Sequence, residues 1–383
     1  MNWFGFGFNG FGQINPQLED GTITDKVVIP VVLDTLCHCK KADPSVNIQT
    51  ETQGVKVGAS WSRRVVFHTS GEGRVCLSGF VNNSVNSEEY HVLVPESKGC
   101  EDVLISERYL TLKFAHKVEC WSLKKNERTL AWTGTLDATE NLGEIVRLPM
   151  VAGGYIAFKP PFFRPLSPHL KAVNLALGTE HAVLLTATGT VYTWGSGSHG
   201  QLGHGNLVSE DEPQAVEALW GVPVKSVTAG GWHSASISAG GDLYVWGWNE
   251  SGQIGLPSKG FREDFQKRHS TGKDEMTTNK AEDINDVFIS IQALPALLDV
   301  SESAEIIKVS CGSRHTTAIT STGDLYTWGW GQYGQLGHGS ECSSDEPKVV
   351  EYFISSGLRV EDVVCGLWNT FVSAVPRNYV SSP

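Results

Sequence analysis

Three copies of one sequence pattern lie in the second half of this 383-residue chain, and they constrain its fold more than any other feature. GTEHAVLLTATGTVYTWGSGSHGQLG (178–203), GGWHSASISAGGDLYVWGWNESGQIG (230–255) and GSRHTTAITSTGDLYTWGWGQYGQLG (312–337) align without gaps. In each copy a Gly stands three residues before a His, a Trp follows that His by thirteen, and G-Q-[L/I]-G closes the unit. The repeated positions are His181, His233, His315, Trp194, Trp246, Trp328, Gly203, Gly255 and Gly337.

Each copy predicts a β-hairpin. Apolar and polar residues alternate on both sides of a glycine turn, as in AVLLT and TVYTW of the first copy, and this period is that of strands. The glycines supply the positive φ that such turns need. A single hairpin cannot bury its apolar face, but stacked copies can, which favours a propeller or solenoid.

Prolines mark the spacing between the units. Pro213 and Pro347 each follow a repeat glycine by thirteen residues, and Pro295 is the equivalent residue of the middle unit after about thirty extra residues. Without that insert the period is about 52 residues. The extra residues are charged and polar without strand alternation, so we interpret 256–286 as a mobile insert that projects from the repeat array.

The first half of the chain carries weaker echoes of the pattern. Residues 57–79 keep Gly58 and two strands but place Trp61 where the His should stand. Residues 102–123 keep two strands, and 151–160 keep only the first element. We therefore interpret 50–160 as degenerate blades, with 178–255 and 312–337 as the well-formed repeats.

The two ends of the sequence read as halves of one unit. CGLWNTFVSAV (365–375) carries Gly366 and Asn369 in the Gly and His positions and is followed by no W-G…G-Q-x-G element. FGFNGFGQIN (6–15) supplies that element, with Phe6 in place of the Trp. We predict that residues 1–15 complete the last blade with 365–375, which closes a ring and protects its edges.

These motifs resemble the regulator-of-chromosome-condensation repeat family, whose signature joins a G-x-x-H strand to W-G-x-N-x-x-G-Q-L-G. The resemblance implies an all-β propeller across 1–383 as a single domain. Seven blades are favoured, from Gly elements at 58, about 106, 153, 178, 230, 312 and 366; six remain possible, because 153 and 178 are only 25 residues apart.

Composition narrows the functional class. The net charge is −12 and the basic clusters are dipeptides, so direct nucleic-acid binding is not expected. The sequence contains no run of about 18 apolar residues, so it predicts no membrane-spanning helix. Eight cysteines without a C-x-x-C pair favour reduced thiols in the cytosol or nucleus, and Cys37-His38-Cys39 lacks the second pair of a zinc site. Phosphate loops and hydrolase motifs are also missing, so we predict no catalytic residues, cofactor or metal.

Residues that recur in every repeat can be distinguished from residues that are candidates for binding a partner. A His or Trp that recurs in every unit indicates a structural role, with the His ring bonded to a neighbouring blade's backbone. Four further tryptophans stand beside glycines at strand ends, where their rings could line one propeller face and bind a partner: Trp232, Trp248, Trp330 and Trp368. The acidic turns GNLVSEDEP and GSECSSDEP suggest a surface for a basic partner such as histone tails, with solvated loops as the alternative.

By resemblance, the chain is a non-enzymatic adaptor in the nucleus that docks a chromatin-modifying partner. The resemblance implies a Jumonji-domain oxygenase as that partner, and roles in histone methylation and chromosome segregation during mitosis. The alternative is a guanine-nucleotide exchange factor for a small GTPase of the Ran type, although no stretch matches the β-wedge that such members insert.

Overall fold

The computed structural model of the chain is an all-β propeller of seven sheets, or blades, arranged around a central axis. It describes residues 1–14, 24–33, 54–69, 73–80, 91–124, 128–136, 147–259 and 287–377. Beside short 3₁₀ turns, the described part of the chain holds one α-helix, α1 (Glu351–Ser355). No helix of these residues is long and apolar enough to span a membrane.

The three well-formed repeats become blades 4, 5 and 6, each an antiparallel sheet of four consecutive strands. Each motif supplies the second and third strands, and the prolines singled out above lie in the fourth, at the sheet edge, where a missing N–H is tolerated. The strands are β14 (Ala172–Leu177), β15 (His181–Thr186), β16 (Val191–Gly195), β17 (Glu210–Ala215), β18 (Val224–Ala229), β19 (His233–Ser238), β20 (Leu243–Trp248), β21 (Ile291–Leu298), β22 (Ile306–Cys311), β23 (His315–Thr320), β24 (Leu325–Gly329) and β25 (Ser344–Val349).

Blade 7 joins the two ends of the chain, as the sequence predicted. Its strand order is β26 (Leu358–Cys365), β27 (Asn369–Pro376), β1 (Asn2–Phe8) and β2 (Lys26–Val32). β1 pairs antiparallel with β27 from Asn2↔Ala374 to Gly7↔Asn369. Phe6 is fully buried, and a Cβ on Gly337 of blade 6 would lie 2.9 Å from its ring. Phe6 thus packs where Trp246 and Trp328 pack in blades 5 and 6.

The degenerate first half forms blades 1, 2 and 3, which confirms seven blades rather than six. Blade 3 accounts for the short 153-to-178 spacing, because its sheet has three short strands among the described residues. The strands are β3 (Val55–Ala59), β4 (Arg63–His68), β5 (Arg74–Gly79), β6 (His91–Val94), β7 (Asp102–Ile105), β8 (Tyr109–Lys113), β9 (Lys117–Ser122), β10 (Thr129–Thr135), β11 (Met150–Val151), β12 (Gly154–Ile156) and β13 (Phe163–Pro165).

The apolar core lies between the blades rather than in one central mass. The first strands of neighbouring blades contact one another around the axis, as β14 contacts β18 and β22 contacts β26. Clusters of buried side chains join blade to blade, such as Val118, Ile156 and Phe162 between blades 2 and 3. Each blade therefore depends on its neighbours for burial, as expected of repeats that cannot bury a face alone.

Blade 1 corrects one assignment from the sequence. Arg63 pairs with Gly79 in the register in which His181 pairs with Gly195, and the Ser60 N–H donates to the Arg63 carbonyl as Gly178 does to His181. Arg63, and not Trp61, therefore holds the His position of blade 1, and Ser60 rather than Gly58 holds the Gly position. The error of two residues was invisible in the sequence because it preserves the strand alternation.

The proposed mobile insert 256–286 cannot be placed, since 260–286 lie outside the described residues. Cys37, His38 and Cys39 also lie outside them.

Candidate functional site

One face of the propeller, here called the upper face, carries the loops that link the first and second strands of blades 1, 2, 4, 5, 6 and 7, and the loop between β12 and β13 of blade 3. These loops surround a cavity of about 520 Å³ at the mouth of the central axis. Ser60, Ser106, Gly178, Gly312 and Gly366 are among its lining residues, one from each of five blades. The G-x-x-H motifs therefore shape the entrance to the axis.

The repeated histidines join neighbouring blades through a side-chain hydroxyl. His181 Nε2 lies 2.9 Å from Ser234 Oγ, and that hydroxyl donates to the Gln201 carbonyl at 2.9 Å. Because the hydroxyl hydrogen is used on Gln201, the imidazole must carry its proton on Nε2 and donate. The sequence predicted a bond to neighbouring backbone; the structure places a hydroxyl between the ring and that backbone. The same arrangement holds for His233–Thr316–Gln253 and His315–Thr370–Gln335.

Burial keeps these imidazoles neutral. It lowers the pKa of His181 to about 4 and the pKa values of His233 and His315 to about 3. Protonation would add a hydrogen to Nδ1, and the Nδ1 atoms of all three rings are buried without a hydrogen-bond partner. A cation in this position would therefore be desolvated and unpaired. The geometry gives the three histidines no access to an acid–base reaction at the surface.

The glycine of each G-x-x-H motif makes room for the His ring. A Cβ on Gly312 would lie 2.1 Å from His315 Cε1 and 2.8 Å from the Gly366 carbonyl oxygen of the next blade. Gly178 and Gly230 show the same close approach to His181 and His233. This spacing explains why a Gly precedes each His by three residues.

We expect Gly312→Ala to lower the free energy of unfolding by about 1–3 kcal/mol, because the added methyl group overpacks the His315 ring and the blade 7 backbone. Gly240→Ala is the matched control, since its added Cβ would meet no atom closer than 3.6 Å. Urea unfolding of both variants measures the difference. Equal midpoints for the two variants would contradict the proposed steric role of Gly312.

The repeated Trp and closing Gly form a second contact between blades. A Cβ on Gly203 would lie 3.0 Å from Trp246 Nε1, and one on Gly255 would lie 3.2 Å from Trp328 Nε1. Trp246 is fully buried and donates to the Gln201 carbonyl at 2.9 Å. Trp194 donates to the Tyr155 hydroxyl of blade 3 at 3.2 Å instead. We propose that these Trp and Gly residues, like the histidines, hold neighbouring blades together rather than bind a ligand.

The four remaining candidate tryptophans lie on the upper face in two edge-to-face pairs. The ring centroids of Trp232 and Trp248 are 5.6 Å apart, and those of Trp330 and Trp368 are 4.8 Å apart. All four side chains are half-buried, so each keeps some surface in contact with solvent. The structure therefore pairs Trp330 of blade 6 with Trp368 of blade 7, while Trp232 and Trp248 both belong to blade 5.

Further aromatic side chains extend these pairs into blades 7 and 1. Tyr333 contacts Trp330 and Phe8, with centroids 5.0 Å apart in both cases, and Phe8 stacks on Trp61 at 6.2 Å. Trp61 is 41% exposed. We call the whole set the aromatic crescent: Trp232, Trp248, Trp330, Tyr333, Trp368, Phe8, Phe11, Trp61 and Phe80.

The sequence held a signal for one missed member of the crescent. Phe8 follows Phe6-Gly7 as Trp248 follows Trp246-Gly247 and as Trp330 follows Trp328-Gly329. Since Phe6 had been aligned with the repeat Trp, Phe8 could have been assigned to the upper face. Trp61 had no such signal, because its contacts depend on how blades 7 and 1 pack.

Two arginines border the crescent. The Arg314 guanidinium lies 4.5 Å from the centre of the Trp248 ring, a cation–π distance. Arg63 lies over Phe80 at 5.3 Å and donates to the Glu107 carboxylate at 3.1 Å. Burial lowers the pKa of both arginines, and Glu107 opposes this shift for Arg63. The arginines help to hold the aromatic rings in place.

The two acidic turns lie at the outer edges of blades 4 and 6. In blade 6 the Asp345 carboxylate accepts the Ser258 N–H of blade 5 at 2.8 Å, and burial raises its pKa. Asp211 and Glu212 of blade 4 and Glu346 of blade 6 are exposed. Part of each acidic turn can thus meet a basic partner, while Asp345 has a structural contact.

Comparison with protein families finds the regulator of chromosome condensation (RCC1) repeat. One model of this repeat matches 188–237, 240–319 and 322–373, and a second matches 172–201, 224–253 and 306–335. The matched segments coincide with blades 4 to 7, where the motifs are best formed.

Relatives extend this likeness over the whole chain. The chain is 39% identical to RCC1 domain-containing protein 1 of Homo sapiens over 98% of its own length and 97% of that protein. It is 30% identical to the ultraviolet-B receptor UVR8 of Arabidopsis thaliana over 55% of its length and 52% of the receptor. Among solved structures, Prp20p of Saccharomyces cerevisiae aligns with a TM-score of 0.70 at 16% identity, over 99% of this chain and 92% of that one. The last likeness concerns the fold alone.

Proposed function

Because this chain belongs to the regulator of chromosome condensation (RCC1) repeat family, we propose that it is a non-enzymatic adaptor whose upper face docks a protein partner. The observation that carries the proposal is the aromatic crescent. Large rings that are partly exposed, close together and held by neighbouring rings provide contact area with little loss of side-chain entropy on binding. Such rings are typical anchors of protein interfaces.

The proposed partner is a chromatin-modifying enzyme in the nucleus. By the family resemblance we propose a Jumonji-domain oxygenase, and through it a role in histone methylation and chromosome segregation. The exposed acidic side chains of blades 4 and 6 offer a separate contact for basic histone tails. We propose no catalytic role for the propeller, since its repeated histidines are neutral, buried and engaged between blades.

We expect the double variant Trp330→Ala/Trp368→Ala to weaken partner binding at least about 30-fold, because truncation of paired aromatic anchors removes about 2 kcal/mol or more. Affinity purification from nuclear extract, followed by mass spectrometry, measures capture of the oxygenase. Trp220→Ala is the matched control, because Trp220 is 63% exposed and lies after the fourth strand of blade 4, outside the crescent.

Thermal unfolding of each variant establishes that the propeller is intact. If both variants capture the oxygenase as well as the parent protein does, the crescent is not its docking surface. If the parent protein captures no Jumonji-domain oxygenase and no chromatin component, the proposed partner is wrong.

A second candidate is nucleotide exchange on a Ran-type GTPase. It is favoured by the fold shared with Prp20p, whose structural study concerns binding to Gsp1p and histones. Release of mant-GDP from Ran, measured with and without this protein, separates the two functions. Acceleration of about a hundredfold or more would replace the adaptor proposal with exchange activity.

A further inference from the structure

The described residues of blade 3 carry a net positive charge, in contrast to the chain as a whole. From Arg147 to Thr179 the sequence contains four Lys or Arg residues and no Asp or Glu, although the whole chain has a net charge of −12. The four cations are Arg147, Lys159, Arg164 and Lys171, and all four are exposed. Within the described part of the chain, none of them has a carboxylate within 4 Å.

The cavity on the upper face extends this basic region toward the axis. Its charged lining residues are Glu107, Arg108 and Lys159. The Glu107 carboxylate is already occupied: it accepts hydrogen bonds from Arg63, from the hydroxyls of Ser60 and Ser62 and from the Ser62 N–H. Arg108 is exposed and, among the described residues, has no carboxylate partner. The cavity therefore presents two unmatched cations to whatever enters it.

The outer edge of blade 3 differs from the edges of its sister blades. β17 of blade 4 carries Glu210, Asp211 and Glu212, whereas β13 carries Arg164 and no acidic residue. β13 is the outermost strand of its sheet among the described residues, and its side chains are exposed, including Phe163 at 39%. β13 is short and ends in Pro165, which has no N–H, so charge and the exposed Phe163 ring, rather than backbone pairing, decide which segment fits this edge.

We propose that the basic sector, defined as Arg108, Lys159, Arg164 and the exposed edge of β13, binds an extended acidic segment of the partner protein. The segment lies along β13, covers Phe163 and directs carboxylates to Arg164, Lys159 and Arg108 at the cavity mouth. This inference rests on the proposed adaptor function and names the chemistry of its partner. It also predicts that the partner contacts two regions, the aromatic crescent and the basic sector.

A labelled peptide tests the proposal directly. The probe is a fluorescein-labelled peptide of alternating glutamate and valine, with the same peptide carrying glutamine in place of glutamate as the neutral comparison. Fluorescence anisotropy at low and high salt measures binding to the full-length protein. We expect saturable binding of the acidic peptide that weakens as salt rises, and no saturable binding of the neutral peptide.

Charge-matched variants locate the binding. R108Q/K159Q/R164Q should weaken the acidic peptide about tenfold. K225Q/K348Q/R359Q removes three exposed cations from blades 5, 6 and 7, changes the net charge equally, and should bind as the parent protein does. Equal weakening by both variants, or equal binding of the neutral peptide, would overturn the proposal. Displacement of the peptide by duplex DNA at a lower concentration would assign the sector to nucleic acid instead.

The same variants separate this inference from the proposed function. If R108Q/K159Q/R164Q captures the oxygenase normally from nuclear extract while Trp330→Ala/Trp368→Ala does not, the adaptor function stands and the basic sector is not part of it. If neither variant weakens capture, the partner docks on another surface and the proposed role of the upper face fails.

Discussion

Deleting residues 1–14 is expected to abolish cooperative folding of the propeller at 37 °C. The deletion removes β1, which pairs with β27 on one side and β2 on the other, and it removes the buried rings of Trp3, Phe4 and Phe6. Loss of each buried aromatic side chain costs about 3–5 kcal/mol. The combined loss is comparable to the whole stability of a typical domain, about 5–15 kcal/mol.

A single substitution tests the same junction of β1 and β27 in blade 7, here called the seam, with a smaller loss of stability. Phe6→Ala should lower the free energy of unfolding by about 3–5 kcal/mol, whereas Phe6→Trp should be tolerated, because Trp246 and Trp328 occupy the equivalent positions of blades 5 and 6. Thermal and urea unfolding measure both. If the deletion or Phe6→Ala leaves the melting temperature unchanged, ring closure through β1 does not stabilise the protein.

Acid should destabilise the propeller through its three inter-blade histidines. Their pKa values in the folded protein are about 4, 3 and 3, against about 6.5 in the unfolded chain. Between the folded and the unfolded pKa values, the unfolded chain binds more protons than the folded protein does. The free energy of unfolding is therefore highest above pH 6.5 and falls as the pH drops toward 4 and then 3. The loss is about 1.4 kcal/mol per pH unit for each histidine, or about 6 kcal/mol for all three at pH 5.

His315→Asn isolates this contribution from that of the carboxylates. Asn369 already holds the His position in blade 7, so the chain itself shows that an amide fits there. Urea unfolding at a series of pH values should show a slope below pH 6.5 that is smaller by about 1.4 kcal/mol per pH unit in the variant. An unchanged slope would mean that His315 titrates normally and is not held neutral by burial.

The repeat made most of the fold predictable. Because His, Trp and Gly recur at fixed spacing, the sequence predicted stacked β-hairpins and the joining of its ends, whereas the propeller and its seven blades were implied by the family resemblance. The prediction was less accurate in the first half of the chain, where the repeat spacing is less regular. There Trp61 was assigned to the repeat His position of blade 1, which Arg63 holds, because both choices fit an alternating strand.

The candidate site was only partly predictable. Trp232, Trp248, Trp330 and Trp368 stood out because they lie beside repeat positions, but Trp61 joins them through packing between blades. The basic sector escaped notice for a different reason. A net charge of −12 averages over the chain and conceals a stretch without carboxylates.

The seam in blade 7 has a consequence for synthesis on the ribosome. The side chain of Asn369 donates to the carbonyl of Phe8 across 361 residues of sequence. At about 5–20 residues per second, β1 must wait roughly 20–70 s for the strand with which it pairs. During that time Trp3, Phe4 and Phe6 form an unpaired, aromatic segment of the nascent chain. Exposed apolar segments that await their pairing strand are prone to aggregation, so slow or interrupted translation should increase aggregation of this protein more than that of a propeller whose blades each come from contiguous sequence.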